Sequence, residues 1–378
     1  MNIERALKNQ IIKKIKATNK IAIIYGARQI GKTTLSKEII KELNLKTFFV
    51  NADEEKYIDI LSSRDFAKIN RLINGYELLF IDEAQRIPEI GINLKIIRDE
   101  MPQLKIIVTG SSSFELANKI AEPLTGRKWT FNLFPISVSE LKKHFSDFEI
   151  DEKTEELLIF GGYPEVLTTK NWQEKKELLK EISQSYLYKD IFKIAKIKHS
   201  SKIKKLLQLL AFQIGSEVSI SEIATQLEIN KETVSRYIDL LEKSFVIFRL
   251  SGFNRNLRKE VSKMDKIYFY DLGIRNIIID NLKTLDNRND VGALWENFLL
   301  IERKKYLEYT KKIASQYFWR TTTGAELDYV EEQDGKLFGF EFKWNSNKKV
   351  KAPKSWIENY KETEFKVINN NNYLDFIN

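Results

Sequence analysis

Ile21-Ala-Ile-Ile-Tyr25-Gly26-Ala27-Arg28-Gln29-Ile30-Gly31-Lys32-Thr33-Thr34 decides the fold. A short apolar run ends at Gly26, and Gly31-Lys32-Thr33 follows after four intervening residues. Leu35 to Leu43 then continues with helical periodicity, so the order is strand, loop, helix. Glycines let such a loop curl until its N–H groups point inward at phosphate oxygens, and the helix N-terminus adds the positive end of its dipole. A chance glycine-rich turn needs neither the strand before it nor the helix after it. Gly26, Ala27, Arg28, Gln29, Ile30, Gly31, Lys32, Thr33 and Thr34 are therefore the nucleotide-binding candidates. Lys32 is expected at the β- and γ-phosphates of ATP and the Thr33 hydroxyl on Mg²⁺.

Downstream, three apolar runs end in polar residues: Lys46 to Asp53, Glu77-Leu-Leu-Phe-Ile-Asp82-Glu83, and Leu104-Lys-Ile-Ile-Val-Thr109-Gly-Ser111. A helical stretch, Gly91 to Met101, separates the last two. Apolar runs alternating with helices predict a parallel sheet covered on both faces, with ligands beyond the carboxyl ends of its strands. There Asp82 would hold Mg²⁺ and Glu83 would polarise the attacking water. Thr109 or Ser111 would sense the γ-phosphate.

The whole chain narrows the chemistry. It has 378 residues, enough for about two to four compact units, and 43% are hydrophobic. It has no cysteine and two histidines, His144 and His199, which excludes disulfides, thiol nucleophiles and cysteine-based zinc sites. A bound metal must then rest on carboxylates and hydroxyls, which suits Mg²⁺ or Mn²⁺. The net charge of +9 suits a polyanion such as DNA, and equally a solvated basic surface. No stretch approaches the roughly 20 apolar residues of a membrane span, and no secretory signal opens the chain. A cytoplasmic protein without a membrane partner is expected.

Together these residues resemble the additional-strand group of P-loop ATPases that contains the AAA proteins, over about residues 20–140. Leu124-Thr-Gly126-Arg127 through Phe134-Pro135 to Glu140, and Phe160-Gly161-Gly162-Tyr-Pro164-Glu165, narrow the resemblance. They are similar to a family of prokaryotic AAA-type ATPases with a winged helix and a further C-terminal domain. The resemblance implies an arginine that senses the γ-phosphate in its own subunit or a neighbour's, with Arg127 as candidate. It also implies a helical lid, which fits the periodicity of 150–213, including Lys175 to Tyr188. Seven lysines between Lys189 and Lys205 form either a phosphate-backbone stripe or a solvated helix face.

Ser219-Ile-Ser-Glu222 reads as a capping box, and Ile229-Asn230 as the turn into a second helix. Val234, Ile238 and Leu241 would bury that helix, leaving Lys231, Thr233, Ser235 and Arg236 where a recognition helix meets the major groove. Phe245 to Leu250 and Lys266 to Tyr270 would form a wing around Asn254 to Lys259.

Residues 291–378 read as helix, strand, strand, strand, helix, strand, with Asp334-Gly335 as a tight hairpin turn. That register sets Asp328 opposite Glu341 and Glu326 opposite Lys343, all four on one face. Leu327, Tyr329, Phe340 and Phe342 would share the other. Opposed carboxylates repel, and a divalent metal between them would relieve it, with Lys343 stabilising developing phosphoryl charge. This order with Asp…Glu-x-Lys resembles the PD-(D/E)XK nucleases. Glu296 falls where many members place a further acid, and Leu327 stands where many have proline.

The expected architecture is α/β: a P-loop core (1–145), a helical lid (146–213), a winged helix-turn-helix (214–275) and a PD-(D/E)XK-like domain (276–378). The expected function is an ATPase acting on DNA, with Asp328, Glu341, Glu296 and Lys343 as a metal-dependent cutting site. The alternative is an ATP-controlled switch or DNA-binding regulator whose nuclease-like domain is inert. Partners read here are DNA and a second copy or another protein.

Overall fold

The computed structural model describes residues 3–110, 123–185, 200–253, 264–321, 323–345, 350–360 and 362–378. The chain forms two compact units where the sequence reading expects four parts. One is Met1–Phe134 with Lys243–Phe245, and the other is Pro135–Glu242 with Val246–Asn378.

In the first unit the order is α1 (Leu7–Ala17), β1 (Ile21–Tyr25), α2 (Lys32–Leu43), β2 (Thr47–Asn51), α3 (Glu55–Leu61), α4 (Phe66–Ile73), β3 (Leu78–Asp82), α5 (Ile90–Glu100), β4 (Lys105–Gly110) and β5 (Lys128–Asn132). The strands lie side by side as β2-β3-β4-β1-β5, every neighbouring pair parallel. This is the AAA-like arrangement, with β4 inserted between β1 and β3. All five residues of β1 are buried, as a central strand covered on both faces requires. Leu7, Ile11 and Ile15 recur at helical spacing on α1 and are buried, each contributing about 1.5–3 kcal/mol relative to exposure. Strand β5 was not read from the sequence. It is an edge strand with one buried residue, Phe131, so its composition carries little strand signal.

The second unit begins with α6 (Val138–Leu141), α7 (Asp147–Phe160), α8 (Pro164–Thr168), α9 (Trp172–Ile182) and α10 (Ser200–Phe212). The helix read as Lys175 to Tyr188 is α9, and 186–188 lie outside the described residues. The Gly161-Gly162 motif has a structural use here. Gly162 N–H donates to Asp271 at 2.7 Å, and Ile136 N–H donates to Gly162 O at 2.8 Å. A side chain at Gly162 would meet the Ile136 carbonyl at 2.6 Å.

Helices α11 (Ile220–Leu227) and α12 (Lys231–Lys243) follow, then β6 (Ile247–Gly252), β7 (Lys266–Phe269), α13 (Leu272–Ile278), α14 (Val291–Thr310), β8 (Ser315–Arg320), β9 (Glu326–Gln333), β10 (Lys336–Phe342), α15 (Lys354–Asn359), β11 (Thr363–Ile368) and α16 (Tyr373–Ile377). The strands form one mixed sheet, β11-β10-β9-β8-β6-β7. The expected boundary at 275/276 therefore separates strands of a single sheet. Strand β6 pairs antiparallel with β7 and parallel with β8, and Phe253 packs among Trp319, Leu327 and Trp356.

The Asp334-Gly335 turn has both residues at positive φ (48° and 79°) and pairs Gln333 with Lys336, as its sequence predicts. The expected faces need correction. Strand β9 bulges against β8: Tyr317 lies opposite Val330 and Trp319 opposite Leu327, so β9 carries one extra residue. Leu327 joins Val330, Leu337, Trp319 and Trp356 in one cluster. Tyr329 instead faces the rings of Phe340, Phe342 and Phe376. Among the described residues no helix is long and apolar enough to cross a membrane.

Candidate functional site

The phosphate loop leaves β1 at Gly26, where a Cβ would overlap the Leu133 carbonyl. Gly31 caps α2 at φ 91°, a left-handed conformation that favours glycine. Lys32 is buried and its Nζ donates to the carbonyls of Gly26 (3.0 Å) and Ala27 (2.8 Å). Burial pulls its ammonium down to about 8, against the opposite pull of Glu83 and Asp82.

Parallel register gathers the other groups at the same strand ends. Ile24 of β1 lies beside Thr109 of β4, and Ile81 of β3 beside Val108. Asp82 follows Ile81, and its two oxygens accept the Thr33 hydroxyl (2.8 Å) and the Thr109 hydroxyl. Glu83 N–H donates to Thr109 Oγ1 at 3.2 Å. Gln85, a residue the sequence reading did not single out, donates its amide to the Glu83 carboxylate. Its place two residues after the acid was the one available signal. Ser111 lies outside the described residues.

Arg127 is not brought to this site. Ile21 pairs with Lys128, so Arg127 sits at the amino end of β5, about 16 Å along the strand from the loop. There it pairs with Asp99 at 2.9 Å, both side chains being exposed.

In the helix pair, Asn230 Oδ1 accepts from Thr233 N–H at 2.8 Å and starts α12. Val234, Ile238 and Leu241 are buried. Lys231 and Arg236 are exposed, with Thr233 and Ser235 half-buried. Only half the expected capping box forms: Ser219 accepts from Glu222 N–H, while the Glu222 carboxylate accepts from Gln226 at 3.4 Å. Asn254 to Lys259 lie outside the described residues, as do the lysines at 189, 193, 196 and 198; Lys202 pairs with Glu228 at 3.0 Å.

The C-terminal acids stand differently from expectation. Phe342 N–H donates to Asp328 at 2.7 Å. Burial, then the charges of Glu296 and Glu341, push the Asp328 carboxyl up to about 7. Lys343 pairs with Glu341 at 2.6 Å, not with Glu326. Glu326 takes Lys266, a buried β7 residue, at 2.6 Å. The same ammonium lies 3.5 Å from Glu296, which also accepts the Tyr268 hydroxyl at 2.5 Å. Among the described residues no group of three or more acidic or histidine side chains is disposed to hold a metal ion. Glu296, Asp328 and Glu341, as arranged, do not fit the metal expected of them.

Three segments of the chain match known family models. Residues 18–142 match a family model described as an AAA domain. Residues 151–285 and 291–374 match two models, each described as a domain of unknown function (DUF8612 and DUF4143). An uncharacterized protein of Mycobacterium tuberculosis is 28% identical over 334 residues, covering 87% of this chain and 71% of that one. An uncharacterized protein of Methanocaldococcus jannaschii is 29% identical over 338 residues, covering 81% and 76%. Among solved structures, the Thermotoga maritima Holliday junction branch migration motor RuvB overlaps 65% of this chain and 90% of its own, at 18% identity and a TM-score of 0.34.

Proposed function

We propose that this chain hydrolyses ATP at the carboxyl ends of β1, β3 and β4 and acts on DNA through α12. The observation that carries the first half is the joining of Thr33, Asp82 and Thr109 through two hydroxyl–carboxylate hydrogen bonds beside Lys32. Hard oxygen donors already in contact suit magnesium, and Thr33 and Asp82 would hold it. Bound there, magnesium would neutralise phosphate charge. Lys32 would leave the carbonyls of Gly26 and Ala27 for phosphate oxygens, since a neutral carbonyl is the weaker partner. Thr109 keeps Asp82 oriented, and Glu83 would accept the proton of the attacking water.

The DNA half rests on Lys231, Thr233, Ser235 and Arg236 lying together on a helix whose opposite side is buried. The ion pairs of Lys266 and Lys343 favour the second reading for the C-terminal domain, in which it does not cut. Any role for Arg127 at a nucleotide requires a neighbouring copy, and sizing with and without ATP tests it.

The experiment is phosphate release from ATP with Mg²⁺, with and without duplex DNA, for the wild type and Glu83→Gln. Turnover that DNA raises and Glu83→Gln abolishes supports the proposal. Turnover indifferent to DNA and to Lys231→Ala/Arg236→Ala would leave the switch. Plasmid nicking by the wild type with Mn²⁺, lost in Asp328→Ala, would overturn the inert reading.

A further inference from the structure

Arg5 belongs to none of the motifs above, yet its buried guanidinium touches the phosphate loop. Nη1 donates to Ile30 O at 2.7 Å, immediately before Gly31-Lys32, and Nη2 donates to Phe134 O at 2.5 Å. Phe134 is where the chain leaves the first unit. The same exit segment meets the loop's other end: Leu133 N–H donates to Tyr25 O at 2.8 Å, and the Leu133 carbonyl fills the space a side chain at Gly26 would need. Both ends of the loop are thus braced by two consecutive exit residues. The Phe134 ring lies edge-on to Phe245, centroids 6.3 Å apart, and Phe245 sits two residues beyond the last residue of α12. Phe245 is held at φ 57°, a left-handed conformation that a non-glycine residue keeps only where its neighbours fix it.

We propose that Arg5 is a positioning residue that transmits nucleotide occupancy from the phosphate loop through Phe134 to Phe245 and the end of α12. The physical basis is simple. The Ile30 carbonyl must shift when the loop's N–H groups turn onto phosphate, and a planar guanidinium with two donors carries that shift to the second carbonyl. A lysine lacks that rigid two-donor fork, so its rotatable ammonium does not fix one carbonyl relative to the other. This inference rests on the ATP reading.

The test uses the full chain and its Arg5→Lys, Arg5→Met and Phe245→Leu variants, with ATPγS and Mg²⁺. Hydrogen exchange is followed in peptides covering 131–136 and 243–247, alongside affinity for a fluorescent ATP analogue and turnover. In the wild type, nucleotide should slow or speed exchange in both peptides. In both Arg5 variants the analogue should still bind, turnover should fall about tenfold to a hundredfold, and the response of both peptides should vanish. Phe245→Leu should keep the response at 131–136 and lose it at 243–247, a result that stands even if an Arg5 variant does not fold. A wild-type response surviving in either folded Arg5 variant, or at 243–247 in Phe245→Leu, would overturn the proposal. Absence of any wild-type analogue binding that Lys32→Ala removes would overturn the ATP reading itself, and this one with it.

Discussion

Asp82 and Asp328 have lysines close at hand, yet their surroundings differ in kind. Asp82 accepts two neutral hydroxyls, and nearby Lys32 rests on backbone carbonyls. Asp328 is half-buried beside Glu296 and Glu341, and the lysines there rest on carboxylates. A carbonyl yields to a phosphate oxygen, but a buried carboxylate holds an ammonium by a charge-assisted bond about twice as strong. Readiness for a ligand therefore depends on how weakly the resting partners hold, and not only on having the right residue types at the right spacing.

The sharpest way to break this comparison is Lys266→Met. Removing the buried cation leaves the half-buried Glu296 and Glu326 without it, and unfolding free energy from denaturant titration should fall by about 3 kcal/mol, the low end for a buried pair. A loss below about 1 kcal/mol would mean the pair is solvated and the site more open than its burial indicates. Next comes Lys32→Ala, which should lower ATP turnover by about 10²–10³-fold, whereas Lys343→Ala should leave it unchanged. Phosphate release measured on both settles which lysine is free to serve a nucleotide.

A pH series sharpens the difference further. Because the folded pKa of Asp328 is raised to about 7, its neutral form favours folding at low pH, and that contribution fades as pH rises through 7. Asp328→Asn should therefore stabilise the protein at pH 8, with a gain that shrinks steadily as pH falls from 7 toward 4, read from denaturant midpoints. The smallest effect on stability is expected of Asp82→Asn. The amide keeps an acceptor for one hydroxyl, so stability should change by about 1 kcal/mol, while turnover is lost.

The sequence is most legible where one local signal dictates one conformation. The Gly26-to-Thr34 loop, the acid pair at the end of β3 and the Asp334-Gly335 turn all lie within a few residues of the features they shape. Asn230 at the start of α12 is of the same kind. What could not be read depends on distant partners or on a change of count. The bulge in β9 inserts one residue, and strict alternation then misassigns Leu327 and Tyr329. Lys266 and Glu326 meet across 60 positions, and Arg5 reaches Phe134 across 129, so no window along the chain contains either pair. Arg127 follows a motif that the family reading ties to nucleotide, and only the Ile21–Lys128 register shows that it stands at the wrong end of β5.

Strand β6, hydrogen-bonded on one edge to β7 and on the other to β8, has a consequence for how the gene can be divided. The two matched segments that end at 285 and begin at 291 look separable on paper. A cut between them would strip β8 of a neighbour and take Phe253 away from Trp319 and Trp356, leaving a raw strand edge and an apolar hole on the C-terminal fragment. Such fragments, expressed apart, would come out as aggregate, and mixing them during refolding would be the way to recover soluble material.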